Sequence, residues 1–191
     1  MGLIVLTSSR DASVRMRQFL NELELAIPNT VKVNRGRSSI IEVAGKALSL
    51  GADRILYIGS RGGNPGFIRF LRIREGVIEV MPYLIRIFGV KLLVDMPVNV
   101  VVKRRARSGV VVSLRDYAEV MDVLSEQLGL PGMRVYDFES IKGMYDTILL
   151  IHRVDNAYEL QVLNGRDLGP YGPFMRISDV IYVKPRVIRV E

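Results

Sequence analysis

The chain has 191 residues, 49% of them hydrophobic, with a formal net charge of +7 and a pI near 9.9. That length supports one large domain or two small lobes with a real core, and the hydrophobic content excludes disorder as the main organisation. With no cysteine and a single histidine, His152, the chain has no route to disulfides, thiolate metal sites, cysteine nucleophiles or histidine-based zinc clusters, while its basic balance puts nucleic acid first among partner classes and an anionic membrane second.

The opening Met1–Leu6 is too short for a signal peptide and lacks a basic n-region. No run approaches the roughly 20 apolar residues of a spanning helix. The expectation is a soluble, cytoplasmic protein with no membrane partner, and the Ile/Val/Arg-rich, Cys-free composition suits a thermophilic source.

Leu3–Leu6 reads as a buried strand, followed by the polar turn Thr7-Ser8-Ser9-Arg10. Ser9 or Asp11 is placed to cap a helix over about Ala12 to Leu25, with Met16, Phe19, Leu20 and Leu23 on one face and Arg15, Arg17, Gln18 and Glu22 off it. Pro28 stops that helix, and Val31 and Val33 alternate as in a half-buried strand. Asn34-Arg35-Gly36-Arg37 then makes a tight basic loop, and Ser39 with Glu42 fits a capping box for a helix over about Ile40 to Leu50, ended by Gly51. Arg54–Gly59 is a buried strand. The first 60 residues thus read β-α-β-α-β, a sheet with helices packed on it.

Ser60–Gly66 is the densest turn signal, a loop carrying Arg61 that matches neither a dinucleotide fingerprint nor a Walker loop. Phe67–Arg74 and Val77–Met81 form a hairpin around Glu75-Gly76. Leu84–Phe88 and Val90–Val94 read as strands or strand–helix ambiguities. Asn99–Val102 and Val110–Ser113 flank the run Lys103-Arg104-Arg105-Ala106-Arg107, which is either a solvated hairpin tip or a phosphate-contacting finger. Ser113 is expected to cap a third helix, about Leu114 to Leu128, with Asp116 in its first turn and Gly129 and Pro131 beyond it. Arg134–Phe138 and Thr147–Arg153 are strands, His152 being a packed or surface strand residue. A turn at Asp155-Asn156 leads to Tyr158–Leu163, and a stiff Gly/Pro segment at 168–177 precedes a last strand near Val180–Val183.

No catalytic set emerges. Carboxylates are scattered, and Ser8 and Ser9 have no histidine partner in sequence context. What concentrates is positive charge, at Arg10 and Arg15, at Arg35 and Arg37, at Arg61 and along Lys103–Arg107. Helix starts and guanidinium forks together suit phosphate, and if the first strands are parallel, the loops of Arg10, Arg35 and Arg61 converge at one strand edge. The candidate RNA contacts are Ser9, Arg10, Arg15, Asn34, Arg35, Arg37, Arg61, Lys103, Arg104, Arg105 and Arg107. Ordinary solvated loop arginines and a plain helix cap at Ser8–Arg10 stay open as alternatives.

Thr7-Ser8-Ser9-Arg10 before a helix, Pro28-Asn29, Asn34-Arg35-Gly36-Arg37, Gly51-Ala52-Asp53 and Arg61-Gly62-Gly63-Asn64-Pro65-Gly66 resemble, in order and spacing, the Brix-domain family. The segment Leu168–Arg176 resembles that family's C-terminal Gly-Pro motif, with extra residues between the Gly-Pro and the Phe. The Leu-Pro-x-Gly-Pro-Thr segment is reduced to Met81-Pro82-Tyr83, and the charged extensions of eukaryotic members are absent, which gives a minimal, archaeal look. The resemblance implies an α/β (α+β) fold with mixed sheets and packed helices. It implies a single Brix domain over 1–191 made of two similar lobes, about 1–90 and 91–191, each like the anticodon-binding domain of class II aminoacyl-tRNA synthetases. It further implies a non-enzymatic ribosome-biogenesis factor that binds rRNA or pre-rRNA, with ribosome-assembly proteins as further partners and no cofactor, metal or small-molecule substrate. Two other classes remain as alternatives: an RNA-processing or nucleotide-using enzyme with a phosphate site at Ser8–Arg10, and a protein-interaction scaffold.

Overall fold

A computed structural model describes residues 2–97, 100, 102 and 104–189. The first stretch runs β1 (Leu3–Ser8), α1 (Val14–Ala26), β2 (Thr30–Lys32), α2 (Ile40–Ser49) and β3 (Ala52–Arg61), the expected β-α-β-α-β order. Two long strands follow, β4 (Asn64–Arg74) and β5 (Val77–Lys91), then a short 3-10 turn at Leu93–Asp95. The rest comprises β6 (Gly109–Leu114), α3 (Glu119–Leu128), β7 (Gly132–Val135), a 3-10 turn at Phe138–Ile141, β8 (Thr147–Val154), β9 (Ala157–Asn164), β10 (Pro170–Ile177), β11 (Ile181–Tyr182) and β12 (Arg186–Arg189).

The strands form one mixed sheet in the order β2-β1-β3-β4-β5-β10-β9-β8-β6-β7, with β11 and β12 also paired to β5. β1 is parallel to β2 and β3, after which β3, β4 and β5 alternate in direction. The later part repeats this plan: β6 is parallel to β7 and β8, and β8, β9 and β10 alternate. The two plans meet where β5 and β10 pair antiparallel, Phe174 opposite Lys91. No residue-by-residue repeat is visible in the sequence because the repetition lies in strand order, which many sequences satisfy.

Alternation along each strand sorts side chains between two faces. Ile4, Leu6, Leu56, Ile58, Ile68 and Phe70 face α1, whose Met16, Phe19, Leu20 and Leu23 are buried against them. The same core continues into α3 through Val120, Met121, Leu124 and Leu128 and into β8, β9 and β10. One core therefore spans both halves. On the opposite face the halves are covered separately. Val43, Ala44 and Ala47 of α2 pack on Val5, Ile55, Leu71 and Ile78, while Ile141 joins Val110, Val112, Val135, Ile148 and Leu150 of the sheet in a separate cluster. Each fully buried large aliphatic or aromatic side chain contributes about 1.5–3 kcal/mol, so the shared core is the main tie between the halves.

The structure moves several expected boundaries. α1 is capped by Ser13, whose Oγ accepts from the Met16 N–H at 3.0 Å, and not by Ser9 or Asp11. Glu22, expected off the buried face, is only 7% exposed. The glycine loop is tighter than expected, since β3 and β4 pair out to Arg61 opposite Asn64. β5 runs unbroken through Pro82 to Lys91, and Val90–Val94 is not a separate strand. Ser113 does not cap α3; it lies in β6, its Oγ donates to the Asp116 carbonyl at 2.5 Å, and the helix starts only at Glu119. The Gly/Pro segment is itself a strand, β10. Asn99 and Val101, expected beside the basic run, lie outside the described residues.

Candidate functional site

Because β1, β2 and β3 are parallel, the loops that follow them leave the same edge of the sheet, and contacts between the loops hold them together. Ser9 N–H donates to the Ile58 carbonyl at 3.0 Å, tying the β1 loop to β3. Thr7 Oγ1 donates to the Val33 carbonyl at 2.9 Å, tying β1 to the β2 loop. Ser13 Oγ donates to the Gly63 carbonyl at 2.5 Å, tying the start of α1 to the β3–β4 turn. Gly62 and Gly63 take positive φ, 56° and 78°, which lets that turn close in so few residues.

The edge carries Arg10, Asn34, Arg37 and Arg61, all exposed. Among the described residues, the guanidinium groups of Arg10, Arg37 and Arg61 make no hydrogen bond or ion pair. Arg35 is more constrained: its Nε donates to the Ser38 carbonyl at 3.0 Å and its guanidinium sits 5.9 Å from the Tyr57 ring centroid. The expected capping box at α2 is present. Ser39 N–H donates to Glu42 Oε2 at 2.5 Å, and the Glu42 N–H donates to Ser39 Oγ at 3.2 Å. The Ser39 hydrogen bonds hold the Glu42 carboxyl below its usual range, and the charges of Lys46 and Arg10 add to the effect, which brings the β1 loop within electrostatic reach of the α2 start.

Beside these loops lies a surface that the sequence reading missed. Cross-strand register puts Gly59 opposite Phe67 and Tyr57 opposite Arg69, and continues to Arg86 and Leu84 of β5. These six positions share the sheet face on which α2 packs, Tyr57 being partly buried against that core. Phe67 lies flat over Gly59, where a Cβ would stand 2.0 Å from Phe67 Cζ. The Tyr57 and Phe67 ring centroids are 6.2 Å apart. Arg69 is half-buried and its Nε has no partner among the described residues, as is true of Ser9 Oγ. Burial lowers the Arg69 pKa, and the charge of Arg186 adds to it. A glycine opposite an aromatic, two residues from a Tyr–Arg pair, was the available signal. Alternation within one strand does not show which residues of neighbouring strands stand opposite one another.

The remaining expected contacts lie elsewhere. Arg15 is held in an ion pair with Asp95, Nη2 to Oδ2 at 2.6 Å, and donates to the Val90 carbonyl at 2.9 Å. Next to it, the buried Glu22 carboxyl accepts from the Leu93 N–H at 3.1 Å. Burial pushes the Glu22 pKa up to about 7 despite that hydrogen bond, Asp95 adding to the rise and Arg15 opposing it.

The basic run is not a hairpin tip, because β6 pairs in parallel with β7 and β8 and the run crosses between the halves. Ala106 is buried and its N–H donates to the Leu25 carbonyl at 2.8 Å. Arg105 pairs with Glu24 at 2.9 Å and donates to the Thr30 carbonyl at 3.2 Å. The Arg104 carbonyl accepts from the Tyr171 hydroxyl at 2.6 Å, and Asp146 accepts the Arg107 N–H at 2.9 Å. Arg104, Arg105 and Arg107 line a groove of about 1270 Å³ together with Arg166, Leu3 and Thr30. Leu3 and Thr30 begin β1 and β2, so this groove is at the opposite end of those strands from the Arg35 loop, and the two basic regions do not join. Lys103 lies outside the described residues.

Among the described residues, no group of three or more His, Asp or Glu side chains could hold a metal ion, and no helix is long and apolar enough to cross a membrane. His152 is half-buried on β8, opposite Glu159.

No protein-family model matches the chain. It is 34% identical over 179 residues to a Pyrobaculum aerophilum protein named "Probable Brix domain-containing ribosomal biogenesis protein", covering 94% of this chain and 95% of the relative. The crystal structure of a probable ribosomal biogenesis protein from Aeropyrum pernix is similar with a TM-score of 0.73 and 25% identity, over 95% of this chain and 99% of that one. The crystal structure of Mil, an archaeal Imp4-like protein, is similar in fold with a TM-score of 0.66 and 20% identity, over 94% and 99%.

Proposed function

The chain belongs to the Brix-domain ribosomal biogenesis proteins, and from that premise we propose that it is a non-enzymatic assembly factor that grips single-stranded rRNA or pre-rRNA at the β1–β3 edge. The observation that carries this reading is the meeting, on one edge, of exposed arginines with an aromatic sheet face. Arginines track phosphates with little regard for sequence, and aromatic rings stack bases that a duplex would keep hidden. Arg10, Arg37 and Arg61 hold the backbone. Phe67 and Tyr57 offer faces for bases, with Arg35 and Arg69 beside them. Ser9 Oγ and Arg69 Nε, buried and unpartnered, acquire acceptors or donors when the strand is bound. The groove of Arg104, Arg105, Arg107 and Arg166 is a second, separate contact for the same polymer, and Arg15 acts within the scaffold.

The repeated strand order supports reading residues 1–90 and 91–191 as two lobes of a single Brix domain, each on the plan of the synthetase anticodon-binding domain. The boundary then falls where β5 gives way to the 3-10 turn. Assembly in the cytoplasm, with other assembly proteins as partners, belongs to the same proposal.

The test is the affinity of the chain for a single-stranded small-subunit rRNA fragment across a salt series, with double-stranded DNA as control. Preference for the RNA is expected, with a log–log slope of about −0.7 per contacted phosphate. Replacing Arg35 and Arg37 together by alanine flattens the slope. Phe67→Ala lowers affinity by about 1–3 kcal/mol per stacked base with the slope unchanged. Equal affinity for both polymers, or no change in either variant, would defeat the proposal.

A further inference from the structure

The matching edge of the second half carries the opposite charge. The loop after β6 presents Asp116 and Tyr117, the first turn of α3 supplies Glu119 and Asp122, and β11 brings Tyr182 alongside. Asp179 acts electrostatically on Tyr117 and accepts from the Tyr158 hydroxyl at 3.4 Å, so it borders the same surface. Arg115 directly precedes Asp116 in the chain, and the charge of Arg153 acts on Tyr158. Carboxylates thus gather here on a chain whose net charge is +7.

The aromatic rings are both exposed and fixed. Tyr117 is 56% exposed and Tyr182 62%. The Tyr117 hydroxyl donates to Asp122 Oδ2 at 2.5 Å, and the Tyr182 hydroxyl donates to Glu119. Tyr182 also stands edge-on to Tyr83, with centroids 5.8 Å apart. These carboxylate contacts raise the Tyr117 pKa and push Tyr182 up to about 12, so both remain neutral phenols. A carboxylate that accepts one hydroxyl keeps further acceptor capacity. Exposed tyrosines held upright supply rigid contact area at low entropy cost, and their faces attract cations.

We propose that the surface formed by Tyr117, Tyr182, Glu119, Asp122 and Asp179 docks a lysine- and arginine-rich segment of a protein partner. Charge complementarity selects this occupant. Phosphates are repelled by the carboxylates that frame the rings, whereas an ammonium or guanidinium group meets both a ring face and a carboxylate. The surface is independent of the RNA-binding reading, since it shares no residue with the β1–β3 edge. A second copy of the chain, offering its own Arg10, Arg37 and Arg61 in a head-to-tail contact, is the competing occupant that the sedimentation arm of the test identifies.

The probe is a fluorescein-labelled lysine/arginine oligopeptide, titrated with the full chain and followed by anisotropy. Saturable, salt-sensitive binding is expected, weakened about tenfold by Tyr117→Ala and by Glu119→Gln combined with Asp122→Asn. Tyr117→Phe, which keeps the ring, is expected to bind better than Tyr117→Ala. Thermal melts of each variant confirm the fold, and affinity for the rRNA fragment is expected to be unchanged in all of them. No peptide binding, or binding that these variants leave intact, would overturn the proposal. So would sedimentation showing concentration-dependent self-association that Tyr117→Ala abolishes, since that outcome assigns the surface to a second copy.

Discussion

The two halves of the sheet repeat one order of strands and differ at the strand ends. After β1 and β2 come Arg10, Arg35 and Arg37, and β3 ends in Arg61. After β6, β7 and β8 come Arg115, Asp116 and Tyr117, Tyr136 and Asp137, and Asp155 and Asn156. The central strand of each half is alike in being apolar and buried on both faces, at Ile4, Val5 and Leu6 in β1 and at Val110, Val111 and Val112 in β6. The difference shows which residues specify the scaffold and which specify what it meets. Core positions accept any side chain of suitable volume and pattern, while loops at a shared edge set charge and stacking chemistry.

The comparison breaks most severely through the core the halves share. Phe19→Ala, at a fully buried position, is expected to lower stability by about 3–5 kcal/mol. Because that core includes residues from both halves, thermal unfolding followed by far-ultraviolet circular dichroism should stay a single transition. Two separated transitions would show halves that fold independently.

Glu22 comes next. Its carboxyl titrates near 7 in the fold against 4.5 when free, so the folded chain binds the extra proton. Stability from this group is complete below about pH 4.5 and is lost as pH rises through about 7. Glu22→Gln should remove that slope and raise stability at pH 8 by an amount of the order of 2 kcal/mol. Denaturant melts of both proteins at pH 5 and pH 8 measure it, and parallel pH profiles would refute it.

A charge change at corresponding turns sharpens the contrast of the edges. Arg61→Glu, in the β3–β4 turn, is expected to weaken rRNA-fragment binding about tenfold at low salt. Asp155→Asn sits in the corresponding β8–β9 turn, at a positive φ of 55° that asparagine tolerates, and should leave that binding unchanged. Equal effects at the two turns would erase the distinction between the edges.

The smallest effect concerns a polar tie between the halves. Arg72 Nη2 lies 2.8 Å from Glu126 Oε1, but both side chains are largely exposed. Arg72→Ala should therefore lower the denaturation midpoint by the equivalent of less than about 1 kcal/mol, and by less still in high salt.

Much of the first half was legible from the chain alone because its signals are local. Ser39 and Glu42 form the expected capping box, and Gly51 takes its expected positive φ of 78°. The convergence of the Arg10, Arg35 and Arg61 loops followed once β1, β2 and β3 proved parallel. The misreadings involve non-local partners. The basic run resembles a hairpin tip when Val110–Ser113 is read next to what precedes it, yet those residues pair with β7 and β8 further along. Ser113 looks like a cap by residue type, but its backbone is already committed to β6. Glu22 lies at the margin of an amphipathic stripe, and its burial depends on the 3-10 turn at Leu93, 71 positions away. Phe67 over Gly59 required cross-strand register, which local periodicity does not supply.

The pairing of β5 has a consequence for the order of events during synthesis. β5 is the outer strand of the first half-sheet, and its free side is taken by β12 along Val77–Val80, by β11 at Tyr83 and Leu84, and by β10 along Ile87–Lys91. All three covering strands are made long after β5. Until they are made, β5 keeps an unpaired row of amides and carbonyls on that side. Such an edge invites pairing with a second chain.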